Sequence, residues 1–301
     1  MTERPKTNTQ LNWKRILVAA LLVGSLVYVG AAWWIGGQLV APANRTIGAA
    51  PEGLPVESFS VDSESGSTIA GWYVPNLDAQ ATVVLLHPIR SNRKSMLGRA
   101  RLFHEAGFAI VMVDLQAHGE SPGEHITIGH LESHDVTATI EWARNKNQDH
   151  KIGVVGCSLG GAATLLAAPI KIDALVLESV YPNVKDAVYN RVGMRLGVAK
   201  HLIAPALLMQ LKPRLGIGAE DLRPIDGLPK LTCPVLIASG DQDRHTTIAE
   251  TEEMFSVAVE PKQLVVFEGA EHEDLLKFDT EFYRQKVMAF VERHLVGDVD
   301  P

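Results

Sequence analysis

Cysteine is scarce in this chain: Cys157 and Cys233 are the two present in 301 residues, and they fall in separate apolar stretches. That count excludes a disulfide framework and a cysteine-built zinc site. Positive charge is not in excess either. Lys and Arg number 28 against 35 Asp and Glu, a formal net charge of -7, so nucleic acid is not an expected partner. There is no internal repeat and no low-complexity tract. Most conspicuous is a local absence, for residues 16–44 carry no charged side chain.

That uncharged run organises the N-terminal region. Residues 1–15 are polar, with Arg4, Lys6, Lys14 and Arg15 against Glu3 alone. Residues 16–36 read as a transmembrane anchor, because about 20 consecutive apolar residues cross the hydrocarbon core as a helix. Trp13 lies at one end and Trp33-Trp34 at the other, where aromatic side chains meet headgroups. The alternative is a cleaved signal peptide, with Ala41-Pro42-Ala43 as the small-residue cleavage site. A signal core spans only about 7–15 apolar residues, so the length favours an uncleaved anchor. The basic flank assigns residues 1–15 to the cytoplasm and the rest to the other side, the periplasmic face of the inner membrane in a bacterium. Asn44-Arg45-Thr46 fits a glycosylation acceptor, relevant only in a eukaryotic secretory pathway. Residues 37–55, with Pro42, Pro51 and Pro55, read as a linker.

From residue 56 onward the pattern is globular. Residues 56–61 and 68–74 alternate in polarity around the turn-rich 63–66, which predicts a hairpin. Apolar strands are then expected at 81–86, 109–115, 151–155, 174–177, 234–238 and 263–267, with helices at 94–106, 132–145, from 159 onward, and 281–295. Buried strands alternating with helices predict an α/β domain over 56–297, a mostly parallel sheet covered on both faces.

One stretch carries chemistry by itself. Gly156-Cys157-Ser158-Leu159-Gly160 has the G-x-S-x-G spacing that places a serine on a sharp strand-to-helix turn. A side chain at either glycine would collide where the turn folds back. Ser158 would then sit at a helix N-terminus, where backbone N–H groups stabilise negative charge. A serine hydroxyl needs a neighbouring imidazole to take its proton, and a carboxylate to orient that imidazole.

The leading hairpin, the strand–helix alternation and the G-x-S-x-G turn on the fifth strand resemble the α/β-hydrolase family, over essentially residues 56–295. The resemblance implies an eight-stranded sheet and a triad in the chain order serine, acid, histidine. The G-x-x-D segment Gly240-Asp241-Gln242-Asp243 implies Asp243 as the acid, with Asp241 and, more distantly, Glu178 as rivals. The G-x-x-H segment Gly269-Ala270-Glu271-His272 implies His272 as the base. The resemblance places the oxyanion hole on the backbone N–H of Leu159 and on the loop after the 81–86 strand. That loop reads His87-Pro88-Ile89, where the family usually has His-Gly. Proline has no N–H, so the second donor is assigned to Ile89. Asp114 to Ser121 matches the family's D-x-x-x-x-G-x-S loop, a structural wall of the site. His118, His125, His130 and His134 lack the helical zinc-binding spacing, so neither a metal nor a cofactor is expected.

About 50 residues separate the strand ending near 180 from the one starting at 234, too many for a simple crossover. In this family such an insert, here 181–233, is the lid. It is rich in leucine and methionine and carries Arg191, Arg195, Lys200, Lys212 and Arg214, with no acid between Tyr189 and Gly218. A basic amphipathic stretch reads as a second membrane contact, or as a lid packed on its own core with a solvated basic face. The expectation is a membrane-anchored serine hydrolase whose lid covers an apolar acyl pocket for lipid-like or other small-molecule esters. A serine peptidase on the same fold, or a non-catalytic protein that keeps the fold, are the alternatives.

Overall fold

The computed structural model describes residues 13–297, so most of the expected cytoplasmic tail, residues 1–12, lies outside the described residues. Eight strands form one sheet: β1 (Glu57–Asp62), β2 (Thr68–Val74), β3 (Ala81–Leu86), β4 (Ala109–Val113), β5 (Lys151–Cys157), β6 (Ala174–Glu178), β7 (Val235–Gly240) and β8 (Lys262–Phe267). Their spatial order is β1-β2-β4-β3-β5-β6-β7-β8. The β1–β2 hairpin and the β2–β4 pair are antiparallel, and every other pairing is parallel. The expected eight-stranded, mostly parallel sheet is therefore present.

Strands β3 to β7 are buried on both faces, which is why they read as unbroken apolar runs, whereas the edge strand β1 is largely exposed and alternates. Val84, Leu86, Val111 and Val113 belong to one core, and Val83, Leu85, Ile110 and Met112 to the other. Successive side chains of a strand point to opposite faces, so each strand feeds both cores.

Helix α1 (Trp13–Val40) is 28 residues long, and its most apolar window has mean hydropathy 2.2. It runs four residues past the expected end of the anchor. The segment after it is no free linker. Ala43 and Asn44 pair in parallel with His118 and Gly119, and the Ile47 N–H donates to Glu120 Oε1 at 3.1 Å. The N–H groups of Ala43, Arg45 and Ile47 find acceptors on the domain, so the chain lies along it.

The other helices are α2 (Leu97–Glu105), entered through a 3₁₀ turn, α3 (His130–Lys146) and α4 (Leu159–Leu166). Helix α3 starts two residues earlier than expected. Glu132 reaches back to accept from the Gly129 N–H at 2.9 Å and the Thr127 N–H at 2.9 Å, fixing the start. The insert folds as α5 (Val184–Leu196), α6 (Lys200–Leu208) and α7 (Leu211–Leu215), with a small core of Val184, Leu211, Ile217 and Leu222. Helix α8 (Ile248–Val257) follows β7. The expected terminal helix over 281–295 is divided: a π-helical stretch, Arg284–Met288, separates the short turn Thr280–Tyr283 from Ala289–Leu295.

Candidate active site

The last residues of β5 and the first of α4 make the turn around Ser158. A Cβ on Gly160 would stand 2.6 Å from the backbone oxygen of Leu86, and one on Gly156 would stand 2.5 Å from the Cα of Gly161. Both distances are below contact, so the crossing of strand and helix requires glycine at each position. Ser158 takes the strain, with φ 47° and ψ -106°. A non-glycine residue in this region costs roughly 1–3 kcal/mol and persists only where its surroundings over-determine it. Here the Ser158 N–H is held by the Glu178 carbonyl at 2.8 Å, and its own carbonyl accepts from Ala162 at 2.9 Å.

Asp243 follows β7 and His272 follows β8, as the chain order required. Nδ1 of His272 and Oδ2 of Asp243 lie 2.7 Å apart. The second oxygen, Oδ1, accepts from the backbone N–H groups of His245 (2.8 Å) and Thr246 (2.9 Å). Burial alone would raise the Asp243 carboxyl, but the hydrogen bond and charge of His272 with the two N–H groups outweigh it, and the net shift is downward. The rivals are engaged elsewhere. Asp241 accepts from the Gly269 N–H at 2.7 Å and so fixes the histidine loop rather than the histidine. Glu178 is bound to Arg99 and Tyr283.

The loop after β3 is built on two histidines. His87 is fully buried; its Nδ1 lies 2.8 Å from the Pro88 carbonyl, and its Nε2 accepts from the Leu115 N–H at 3.1 Å. Burial, and then the neighbouring His118, push its pKa down to about 3. His118 accepts the Arg90 N–H on Nε2 at 3.0 Å and lies 2.8 Å from the Gln116 carbonyl through Nδ1. Arg90 has φ 59°, so the loop doubles back immediately after Ile89. Among the described residues no acceptor takes the Ile89 N–H. Leu159 is the first residue of α4, so its N–H has no partner inside the helix. Pro88 lies on the wall of the cavity that holds Ser158 and His272.

That cavity, of about 310 Å³, departs from the expectation of a lid-covered apolar pocket. No residue of 181–233 lines it. Its wall includes Met96 and Pro88 but also Arg99, Glu178 and Asp274. Helix α2 and the histidine loop reach this cavity before the insert does. Arg99 is buried; it donates through Nε to Glu178 Oε1 at 3.0 Å and through Nη1 to Asp274 at 2.8 Å, with a further ion pair from Nη2 to Glu178 Oε2. Tyr283 donates to Glu178 at 2.6 Å, and the Cys157 thiol lies 3.4 Å from the same carboxylate. Burial pushes both the Tyr283 hydroxyl and the Cys157 thiol well up. The sequence reading missed this network, as it missed His245, whose ring stacks on His272 at a centroid distance of 4.7 Å. It also missed Ser179, at φ 50°, whose buried hydroxyl has no hydrogen-bond partner among the described residues. The only sequence signal for the network was the placement of two acids, Glu178 at the end of a strand and Asp274 just after the histidine.

This strand order, with a strained serine on the turn after β5, is that of the α/β-hydrolase fold. The family described as X-Pro dipeptidyl-peptidase (S15 family) matches residues 54–196. The uncharacterized protein YqkD of Bacillus subtilis is 24% identical over 246 residues, covering 80% of this chain and 81% of its own. The monoacylglycerol lipase of Mycolicibacterium smegmatis is 24% identical over 269 residues, covering 74% of this chain and 92% of its own. Among solved structures, the Pyrococcus furiosus esterase Pf2001 superposes with a TM-score of 0.71 at 18% identity, over 85% of this chain and 98% of its own.

Proposed function

We propose that the protein is a membrane-anchored serine hydrolase that cleaves carboxylic esters through an acyl-enzyme. The observation that carries this reading is His272, paired with Asp243 at 2.7 Å, on the wall of one cavity with the strained Ser158. In the proposed reaction His272 takes the Ser158 proton as the hydroxyl attacks the ester carbonyl. The Leu159 and Ile89 N–H groups stabilise the oxyanion. His272 then protonates the departing alcohol, and water attacks the acyl-enzyme by the same route in reverse. Asp243 keeps the Nδ1–H of the ring pointed inward and stabilises its charged form. No cofactor is required for these steps. The mixed polar and apolar wall limits the reading to small-molecule esters and gives no support to a long apolar acyl pocket at Ser158. The esterase and lipase relatives support ester chemistry. Helix α1, with the basic residues before it, supports an anchor and a catalytic domain on the non-cytoplasmic side.

The S15 match favours a second reading, hydrolysis of a peptide bond by the same residues. A fluorophosphonate probe tests the shared machinery: the folded protein labels at Ser158, and Ser158→Ala does not. A folded protein that fails to label is a non-catalytic member of the fold. A panel of p-nitrophenyl esters beside X-Pro p-nitroanilides separates the two readings, with turnover expected on the esters. Retention of the protein in the membrane pellet after alkaline carbonate washing, with the intact N-terminal mass, tests the anchor.

A further inference from the structure

The lid hairpin packs along α1 rather than over Ser158. Tyr28 of α1 donates its hydroxyl to the Leu202 carbonyl at 2.7 Å, and Gln210 Nε2 donates to the Ala32 carbonyl at 2.9 Å. Arg214 bonds the Trp33 carbonyl and stacks its guanidinium 3.9 Å from the Trp33 ring. From Leu202 to Gln210, α6 therefore climbs beside α1 toward the domain. Its N-terminus, and the tip before it, lie on the far side.

The register sets a depth. Trp33-Trp34 mark the headgroup level at the domain end of α1. Tyr28 precedes Trp33 by five residues, so it and Leu202 stand about 7.5 Å deeper at 1.5 Å per residue. The hydrocarbon core is about 30 Å thick, which puts Leu202 well inside one leaflet. Val198 comes four residues earlier, about one more turn down. The side chains at this tip are those a soluble surface would not expose together: Val198 is 88% exposed, Leu202 64% and Leu196 51%. The insert's charges are all basic from Tyr189 to Gly218, and Arg195 and Lys200 have stems long enough to bring their charges up toward anionic headgroups.

We propose that the tip of the lid, residues 194–202, is inserted in the lipid leaflet next to the hydrolase domain, alongside α1. This rests on the reading of α1 as a bilayer-spanning anchor. The insert is thereby a second, monotopic membrane element that fixes the tilt of the domain on the bilayer. Its insertion explains why an apolar, leucine-rich lid leaves the Ser158 cavity unlined.

The test uses the full chain in vesicles of phosphatidylcholine with a minority of phosphatidylglycerol. Cys157 and Cys233 are buried, so a nitroxide can be placed on Val198→Cys, an exposed position whose substitution leaves the core untouched. Leu21→Cys, in the middle of the α1 span, is labelled in parallel. The expected result is relaxation of both labels by oxygen in excess of relaxation by a water-soluble nickel complex. Nickel dominance at position 198 with oxygen dominance at 21 overturns the lid insertion and leaves the anchor standing. Nickel dominance at both positions overturns the anchor reading as well.

Discussion

The Arg90 backbone N–H donates to Nε2 of His118 across 3.0 Å, tying the residue after Ile89 to the loop that follows β4. The Arg90 side chain meanwhile donates to the carbonyls of Gln38 (3.2 Å) and Ala41 (3.1 Å) at the end of α1. The loop proposed to carry an oxyanion donor is thus held from two sides. Pro88, which removes one N–H, also stiffens it. His118→Ala should slow fluorophosphonate labelling of Ser158 by about ten- to a hundred-fold, less than the roughly 10²–10³ for removing an oxyanion donor outright, because the donor is displaced and not lost. Labelling kinetics beside a thermal melt check this; unchanged labelling in a folded variant would remove His118 from the positioning role.

Asp243 and Glu178 are both buried carboxylates near Ser158, but substitution should separate them. Asp243→Asn keeps the shape and should lower kcat on p-nitrophenyl esters by roughly 10³–10⁴-fold through the wrong imidazole tautomer. Its melting temperature should change little. Glu178→Ala strips Arg99 of its buried partner and should destabilise the fold by about 3–5 kcal/mol. Urea unfolding of the two variants distinguishes the roles, and the reverse pattern would exchange them.

Gly160→Ala places a Cβ 2.6 Å from the Leu86 backbone, where neither strand nor helix has room to move. Overpacking of this kind costs about 1–3 kcal/mol and should displace the Leu159 N–H. A lower urea midpoint with loss of labelling is the expected pair of results. Labelling at the wild-type rate would show that the crossing is looser than its contacts imply.

His87 has its pKa lowered to about 3 in the fold, against about 6.5 in an unfolded chain. Between those values the unfolded state binds the extra proton, so stability falls as pH drops from 6.5 toward 3, at up to about 1.4 kcal/mol per pH unit. His118, also lowered by burial, acts in the same direction. Asp135, raised by burial to about 6, opposes it between about 3.8 and 6. Replacing His87 with Gln should flatten the urea midpoint between pH 6.5 and 6, where Asp135 contributes least. A midpoint that keeps its wild-type slope there would place the pH dependence elsewhere.

The elements written in contiguous residues were legible without coordinates. Continuous apolar runs marked the buried parallel strands, because strands buried on both faces need no alternation, while alternating polarity marked the leading hairpin. The elbow was legible because its geometry demands glycine on both sides of Ser158. Asp243 and His272 were legible because each lies just past a strand end in the order the resemblance required. What tertiary structure alone decided was which distant groups meet. The Arg99–Glu178, Tyr283–Glu178 and Arg99–Asp274 contacts join residues 79, 105 and 175 positions apart. No periodicity encodes such pairings, since they follow from the order in which strands cross the sheet. The same holds for the insert: its composition announced an apolar, basic element, but only tertiary packing brought it against α1 and left the Ser158 cavity unlined by it.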